Sequence, residues 1–207
     1  TIGPDGKLYF SIGDNGFSVV TREGRRLHHP NTGGVLRMNT DGTQLEVFAL
    51  GLRNVQEIAF DEYGNLFSVD NDGDLADERE RFVYIVEGSD SGWRTNWQFR
   101  DRGWSKVTEQ PDYNPWIAER MWIPHWDGQP AYITPPLSNY SVGPSGFKYN
   151  PGTSINGAYK RHFFLAQFPV NKITAFQVQP KGASFEMTGE HVFLSGMMAS
   201  ALNFSPS

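Results

Sequence analysis

The sequence contains no cysteine. That excludes disulfides, thiolate metal sites and cysteine catalysis within it, and leaves the compartment open. No apolar run is long enough to cross a membrane as a helix. No basic run occurs and the formal charge is −5 at pH 7, which disfavours nucleic acid as a partner. The Gly-x-Ser-x-Gly elbow, the Gly-x-Gly-x-x-Gly fingerprint and the Walker pattern are all missing. There is no His-x-His or His-x-x-x-His pair, so the spacing gives no zinc motif. The chain also lacks an initiating Met and a signal peptide. It opens within one strand-turn pattern (Thr1 to Gly6) and stops within another (Ser205 to Ser207), so it reads as an internal segment of a longer protein.

Turn formers and rings are abundant instead. Gly 22, Pro 13 and aromatics at 14% of 207 residues describe many short strands joined by turns. Such a length suffices for a sizeable core.

The chain is organised around Gly51 to Glu78, GLRNVQEIAFDEYGNLFSVDNDGDLADE. A polar corner (Arg53, Asn54, Gln56) precedes the apolar run Ile58-Ala59-Phe60. Asp61 to Asn65 breaks that run with turn chemistry, and Leu66 to Val69 reads as a half-buried strand. Asp70, Asp72, Asp74, Asp77 and Glu78 then crowd together. Like charges so close need a cation, an arginine partner or open water.

The same grammar recurs. Pro4 to Tyr9 and Glu62 to Phe67 are two copies of one turn-strand unit, and Asn203 to Ser207 starts like a third. Val35–Met38 and Leu45–Phe48 flank an Asp-Gly turn, a hairpin signal. Ile173–Val178 and Ser184–Met187 flank a second turn, read as Gln179 to Gly182. Phe82–Val86 and Arg161–Gln167 read as further strands, and Phe17 to Asn31 as irregular and basic. The stretch at about 93–136 differs in texture. All six tryptophans fall between Trp93 and Trp126, without sustained periodicity. It reads as a Trp/Pro-rich insertion, with a short helix expected near Ile117–Met121. Repeated four-stranded units point to an all-β β-propeller, with a β-sandwich as the other solution. At about 40–50 residues per blade, the whole chain, 1–207, holds about three or four blades of a partial ring.

Each candidate site has a plainer alternative. Asp70, Asn71, Asp72, Asp74, Asp77 and Glu78 alternate oxygen ligands around Gly73, as a hard cation such as Ca²⁺ requires. The alternative is a solvated loop paired with Arg79 and Arg81. Arg53 can fork onto a ligand carboxylate, or onto the acidic loop. His125 is either a base in the aromatic loop or a packed loop residue. His28 and His29 are adjacent, so on a strand only one can face a given site. The tryptophans either stack on sugar rings or pin the long loop to the blades.

Three ordered stretches carry a resemblance: Ile2 to Gly16 (IGPDGKLYFSIGDNG), Gly34 to Gly42 (GVLRMNTDG) and Gly51 to Gln56 (GLRNVQ). Asp77-Glu78 and Ser91-Gly92-Trp93 continue it in order. Together they resemble the glucose/sorbosone dehydrogenase family. They are similar above all to a bacterial branch of membrane-bound dehydrogenases whose members often carry a cytochrome c domain elsewhere. The resemblance covers the first half well and the last third loosely, and leaves out the Trp-rich insertion.

The resemblance implies a six-bladed propeller that uses pyrroloquinoline quinone (PQQ) and Ca²⁺ to oxidise a sugar or other small polyol. It implies a periplasmic or extracellular location, with a cytochrome c domain or another protein as electron acceptor. It makes Arg53 and Asn54 the quinone-contacting pair, with Gln56 beside them. It gives the calcium to backbone carbonyls around Asn71-Asp72. The family's catalytic histidine would fall before Thr1. Two departures stand out. The late arginine pair that clamps the quinone carboxylates should fall near 197–200, where the chain reads Met-Met-Ala-Ser. The lysine expected near Gln167–Asn171 is met only by the displaced Lys172. These departures favour a second reading, a non-catalytic, calcium-stabilised propeller that binds carbohydrate or a protein partner.

Overall fold

The computed structural model describes residues 1–71, 73, 79–94, 120, 123, 125–126, 134–140, 143–153, 155, 157–196 and 202. Three antiparallel sheets follow one another. Sheet I orders β1 (Leu8–Ile12), β4 (Gly33–Met38) and β5 (Glu46–Leu52). Sheet II orders β6 (Val55–Phe60), β7 (Leu66–Asp70), β8 (Glu80–Ile85) and β9 (Ser138–Tyr140). Sheet III orders β10 (Pro144–Asn150), β11 (His162–Gln167), β12 (Lys172–Lys181) and β13 (Ser184–Ser195). Each sheet is an up-and-down meander, and sheet II packs against sheet I on one face and sheet III on the other. This is a β-propeller with three blades among the described residues. Strand β6 touches both β1 and β10, which puts it on the axial side of its blade.

The turns explain the meanders. At Gly3–Lys7, Thr21–Arg25, Asn39–Thr43 and Asp61–Asn65 the first amide donates to the fifth carbonyl, and the fourth residue donates back to the first carbonyl. That fourth residue is always glycine, with φ between 77° (Gly6) and 84° (Gly64). A left-handed residue after a tight turn gives the strands their twist, and glycine adopts it without a Cβ penalty. The Thr21–Arg25 copy closes a separate hairpin of β2 (Phe17–Val20) and β3 (Arg26–His29). The basic stretch that reads as irregular is therefore regular. Its strands alternate half-buried with exposed residues, so they carry little apolar signal.

Burial follows strand parity. In β7, Leu66 faces sheet I, while Phe67 and Val69 face sheet III. In β8, Val83 and Ile85 face sheet I, and Phe82 faces sheet III. A strand covered on both faces reads as a continuous apolar run rather than an alternating one, as Leu66–Val69 does. Phe67, Phe82, Phe147, Phe163 and Phe176 form one ring cluster between blades, with centroids 5.1–6.4 Å apart.

Two boundaries differ from expectation. The turn expected at Gln179 to Gly182 lies later. Gln179 pairs with Glu186, Pro180 with Phe185 and Lys181 with Ser184, so the reversal falls at Gly182, whose φ is 60°. β11 starts at His162, after Arg161 with φ 62°. Of the helix expected near Ile117–Met121 only Arg120 is among the described residues, in a turn with φ 46°. In chain order the 93–136 stretch comes between β8 and β9, which pair with each other in sheet II.

Candidate functional site

The polar corner lies where β5 hands over to β6, from the outer strand of one blade to the axial strand of the next. Gly51 enters it with φ 77°. A Cβ at Gly51 would sit 2.5 Å from the Ser91 nitrogen and closer still to Asp90 Oδ1. The Gly51 amide donates to Thr32 Oγ1 at 3.1 Å, and Thr32 Oγ1 donates to the Trp93 carbonyl at 3.0 Å. The Trp93 indole is fully buried and donates to Asp14 Oδ2 at 2.9 Å. Trp93 thus ties the start of the Trp-rich stretch to the blades.

Asp70 closes the corner from below. Its carboxylate accepts the backbone amides of Arg53 (3.0 and 2.9 Å) and Asn54 (2.8 Å). It also accepts Arg81 Nη2 at 2.7 Å, and neither side chain of that pair is exposed. Arg81 Nη1 donates to the Ser91 carbonyl at 2.5 Å, and Nη2 to the Gly51 carbonyl at 3.2 Å. The sequence groups Asp70 with the loop carboxylates. The structure puts it inside the fold instead, with both oxygens occupied by the corner's own donors. Of the candidate cation ligands, Asn71 sits at the rim, and Asp72, Asp74, Asp77 and Glu78 lie outside the described residues.

The Arg53 guanidinium reaches over this anchor. Its Nη1 donates to the Asn71 carbonyl at 2.8 Å. Asn71 in turn donates its amide to the Asn54 carbonyl at 3.3 Å, and its Nδ2 to the Pro144 carbonyl at 3.4 Å. The Arg53 carbonyl accepts the Asp14 amide at 2.8 Å. Arg53, Asn54 and Asn71 therefore form one rigid rim where blades I, II and III meet. Gln56 is exposed nearby, where β6 bulges between Val55 and Ile58. Arg79 is exposed, so of the two arginines only Arg81 enters this network as described.

Three residues that the sequence does not single out belong to this end. Glu80 is buried and accepts the Gly73 amide at 2.9 Å. Asp90 accepts Gly92 N at 2.8 Å and Arg94 Nη2 at 2.6 Å. Burial works against the Asp90 charge, but Arg94 and the Gly92 amide outweigh it and hold the carboxyl below its usual range. Gln167 is buried, pairs with Pro144 and Lys172 across its sheet, and its Oε1 has no donor among the described residues. Each takes its place through partners on other strands or turns rather than through a recognisable local pattern, so no motif flags them.

His125 is exposed, with its ring 6.2 Å from that of Trp126. The His29 ring lies beside Phe17 at 5.3 Å. A cleft of about 350 Å³ opens beside Ile58, Glu62, Lys148 and Tyr149. It lies at the opposite end of β6 from Arg53, so it is separate from the corner.

Comparison with known proteins agrees with this architecture. The family model described as Glucose / Sorbosone dehydrogenase matches residues 1–198. Quinoprotein glucose dehydrogenase B of Acinetobacter calcoaceticus is 30% identical over 118 residues, covering 44% of this chain and 24% of that protein. Among solved structures, the PQQ-bound aldose sugar dehydrogenase of Streptomyces coelicolor matches 97% of this chain and 50% of its own, at 20% identity and TM-score 0.58. A glucose dehydrogenase-type oxidoreductase from Thermus thermophilus matches 99% of this chain and 55% of its own, at 18% identity and TM-score 0.64. The chain thus spans about half the length of these structures and a quarter of the curated relative. At such identities the structures establish a shared fold. With the family model spanning nearly the whole sequence, the chain belongs to the glucose/sorbosone dehydrogenase family.

Proposed function

We propose that the protein containing this chain is a PQQ-dependent sugar dehydrogenase and that the Arg53–Asn54 corner is part of its cofactor site. The observation that carries the reading is the rim itself. Arg53 and Asn54, the family's motif pair, are held rigidly by Asp70 beneath them and Asn71 beside them. The donor set suits a planar anion. Arg53 offers a guanidinium fork. Lys172 stands two strand widths, roughly 10 Å, from Pro144 at the same blade end. The orphaned Gln167 Oε1 is an acceptor for a ligand hydroxyl or a water.

When bound, PQQ supplies the hydride acceptor for a sugar hydroxyl carbon, and Ca²⁺ supplies Lewis-acid polarisation. This chain's residues do the positioning. Arg53 holds a carboxylate, and Lys172 adds a second positive charge. Backbone carbonyls around Asn71-Asp72 are the proposed calcium ligands. The catalytic histidine of the family is expected before Thr1. A sugar or other polyol is the substrate, a cytochrome c domain or separate protein the electron acceptor, and the periplasm or exterior the location.

Met197–Ser200 in place of two arginines supports the second reading, a calcium-stabilised propeller without catalysis that binds carbohydrate or protein. One experiment separates the two. The full-length protein is titrated with PQQ, with and without Ca²⁺, and assayed against an aldose panel with an artificial electron acceptor. Saturable, calcium-dependent binding with turnover, weakened at least tenfold in Arg53→Ala, establishes the dehydrogenase. Absence of PQQ binding leaves the second reading.

A further inference from the structure

A pair of histidines on sheet III, far from the corner in the fold, has a shared local geometry. His162 begins β11 and His191 lies in β13, with β12 between them. Each lies in alternation with residues of one face: His162 with Phe164 and Ala166, His191 with Phe193. The ring centroids are 6.3 Å apart and the planes cross at 78°. Tyr159 packs against both rings, at 5.4 and 5.9 Å.

The hydrogen bonds settle the tautomers. His162 Nδ1 lies 3.0 Å from the Lys160 carbonyl, and His191 Nδ1 lies 2.9 Å from the Gly189 carbonyl. A carbonyl only accepts, so both Nδ1 atoms carry the proton. In the neutral rings the lone pair then resides on Nε2. Holding Nδ1–H by a carbonyl is how proteins orient a metal-ligating imidazole and raise its basicity.

The spacing is close to what one ion needs. A metal–nitrogen bond of about 2.0–2.1 Å puts each ring centre roughly 3.2 Å from the metal, so two rings sharing an ion have centres about 5.2 Å apart at a tetrahedral angle and about 6.4 Å apart when they stand opposite one another. The observed 6.3 Å lies near the upper end of that range. Rotation of His191, the more exposed of the two, has to bring the centres about 1 Å closer for a tetrahedral ion.

We propose that His162 and His191 form a two-imidazole site for a first-row divalent transition metal such as Zn²⁺, Ni²⁺ or Cu²⁺, which imidazole ligands suit. Water fills the remaining positions. The ion bridges β11 to β13 across β12 and so staples the outermost strand of the blade. This site is independent of the proposed cofactor chemistry.

The test is calorimetric titration of the protein with Zn²⁺, with Ni²⁺ as a second probe, alongside thermal melts. His162→Ala, His191→Ala, the double variant and His125→Gln are compared. Micromolar binding of one equivalent is expected, weakened at least tenfold in either single variant, no further in the double, and unchanged in His125→Gln. Zinc should raise the melting temperature of the parent and of His125→Gln, and not of the His162 and His191 variants. Circular dichroism of the metal-free variants separates lost binding from lost folding. Absence of zinc binding, affinity unchanged by both single variants, or additive losses that indicate two separate ions would each overturn the proposal.

Discussion

Asp70 Oδ2 and Arg81 Nη2 lie 2.7 Å apart with neither side chain exposed to solvent, and they pair across β7 and β8 in register. The pair is not isolated. Asp70 also accepts two backbone amides of the Arg53–Asn54 corner, and Arg81 also donates to two carbonyls. Every charge-bearing end is therefore answered by a polar partner. That completeness makes such a buried pair tolerable, because two desolvated ions otherwise cost more than their attraction returns. The pair holds the corner's backbone and leaves the Arg53 side chain for the rim.

Removing one member should therefore be severe. Asp70→Ala leaves a buried guanidinium without its carboxylate, and should destabilise the fold by about 3–5 kcal/mol. Denaturant midpoints measure this. A loss under about 1 kcal/mol would show that the pair does not anchor the corner.

Gly51→Ala combines a positive φ with a collision at Asp90 and Ser91. The backbone conformation alone costs roughly 1–3 kcal/mol, and the overlap adds to it. The melting temperature should fall well below that of Gly182→Ala, whose φ is also positive but whose Cβ meets nothing within 4 Å. Equal losses would remove the close-approach argument.

Phe82 is fully buried between blades II and III, with Phe67, Phe147 and Phe176 within 5.9 Å, centroid to centroid. Truncation to Ala should cost about 3–5 kcal/mol through lost transfer energy and the cavity left behind. Urea unfolding of the two proteins gives the difference directly.

Asp90 predicts a pH dependence. Its folded carboxyl titrates below its ordinary value, because Arg94 and the Gly92 amide outweigh burial. The unfolded state then takes up protons first. The stabilisation is present above the unfolded value, about 3.9, and is lost as pH falls through the folded one. The stability gap between the parent and Asp90→Asn should therefore narrow as pH drops below about 4. A gap that stays constant from neutral pH to about pH 3 would contradict it.

If the Asn71-Asp72 loop binds calcium as proposed, excess Ca²⁺ should stabilise the protein and Mg²⁺ should not replace it. At a free concentration about 100-fold above the dissociation constant, the gain is about 2.7 kcal/mol. Scanning calorimetry after chelation and re-addition checks this.

Much of this was legible in the residues. The glycine turns follow from local chemistry, since only glycine takes positive φ freely. Two copies, at Pro4–Tyr9 and Glu62–Phe67, suffice to suggest repeated blades. The family motif is likewise local, because Gly51 to Gln56 is one contiguous corner. The Thr21–Arg25 turn carries the same glycine. Its half-exposed flanking strands hide it, because an apolar period needs a buried face.

The sequence by itself determined the strand-turn grammar, the absence of thiol chemistry and the family. Only the tertiary structure decided which acid of the 70–78 cluster goes inside and which arginine meets it. The reason is register. Nine residues separate β7 from β8 in sequence, too many for a turn rule to assign Asp70 to Arg81 rather than leaving it beside Arg79. Packing against blades I and III selects that register, and a one-residue slip would turn Phe67 and Phe82 out of their cluster. The same logic hides His162 and His191. They lie 29 residues apart in sequence and meet only because β12 lies between them in the sheet.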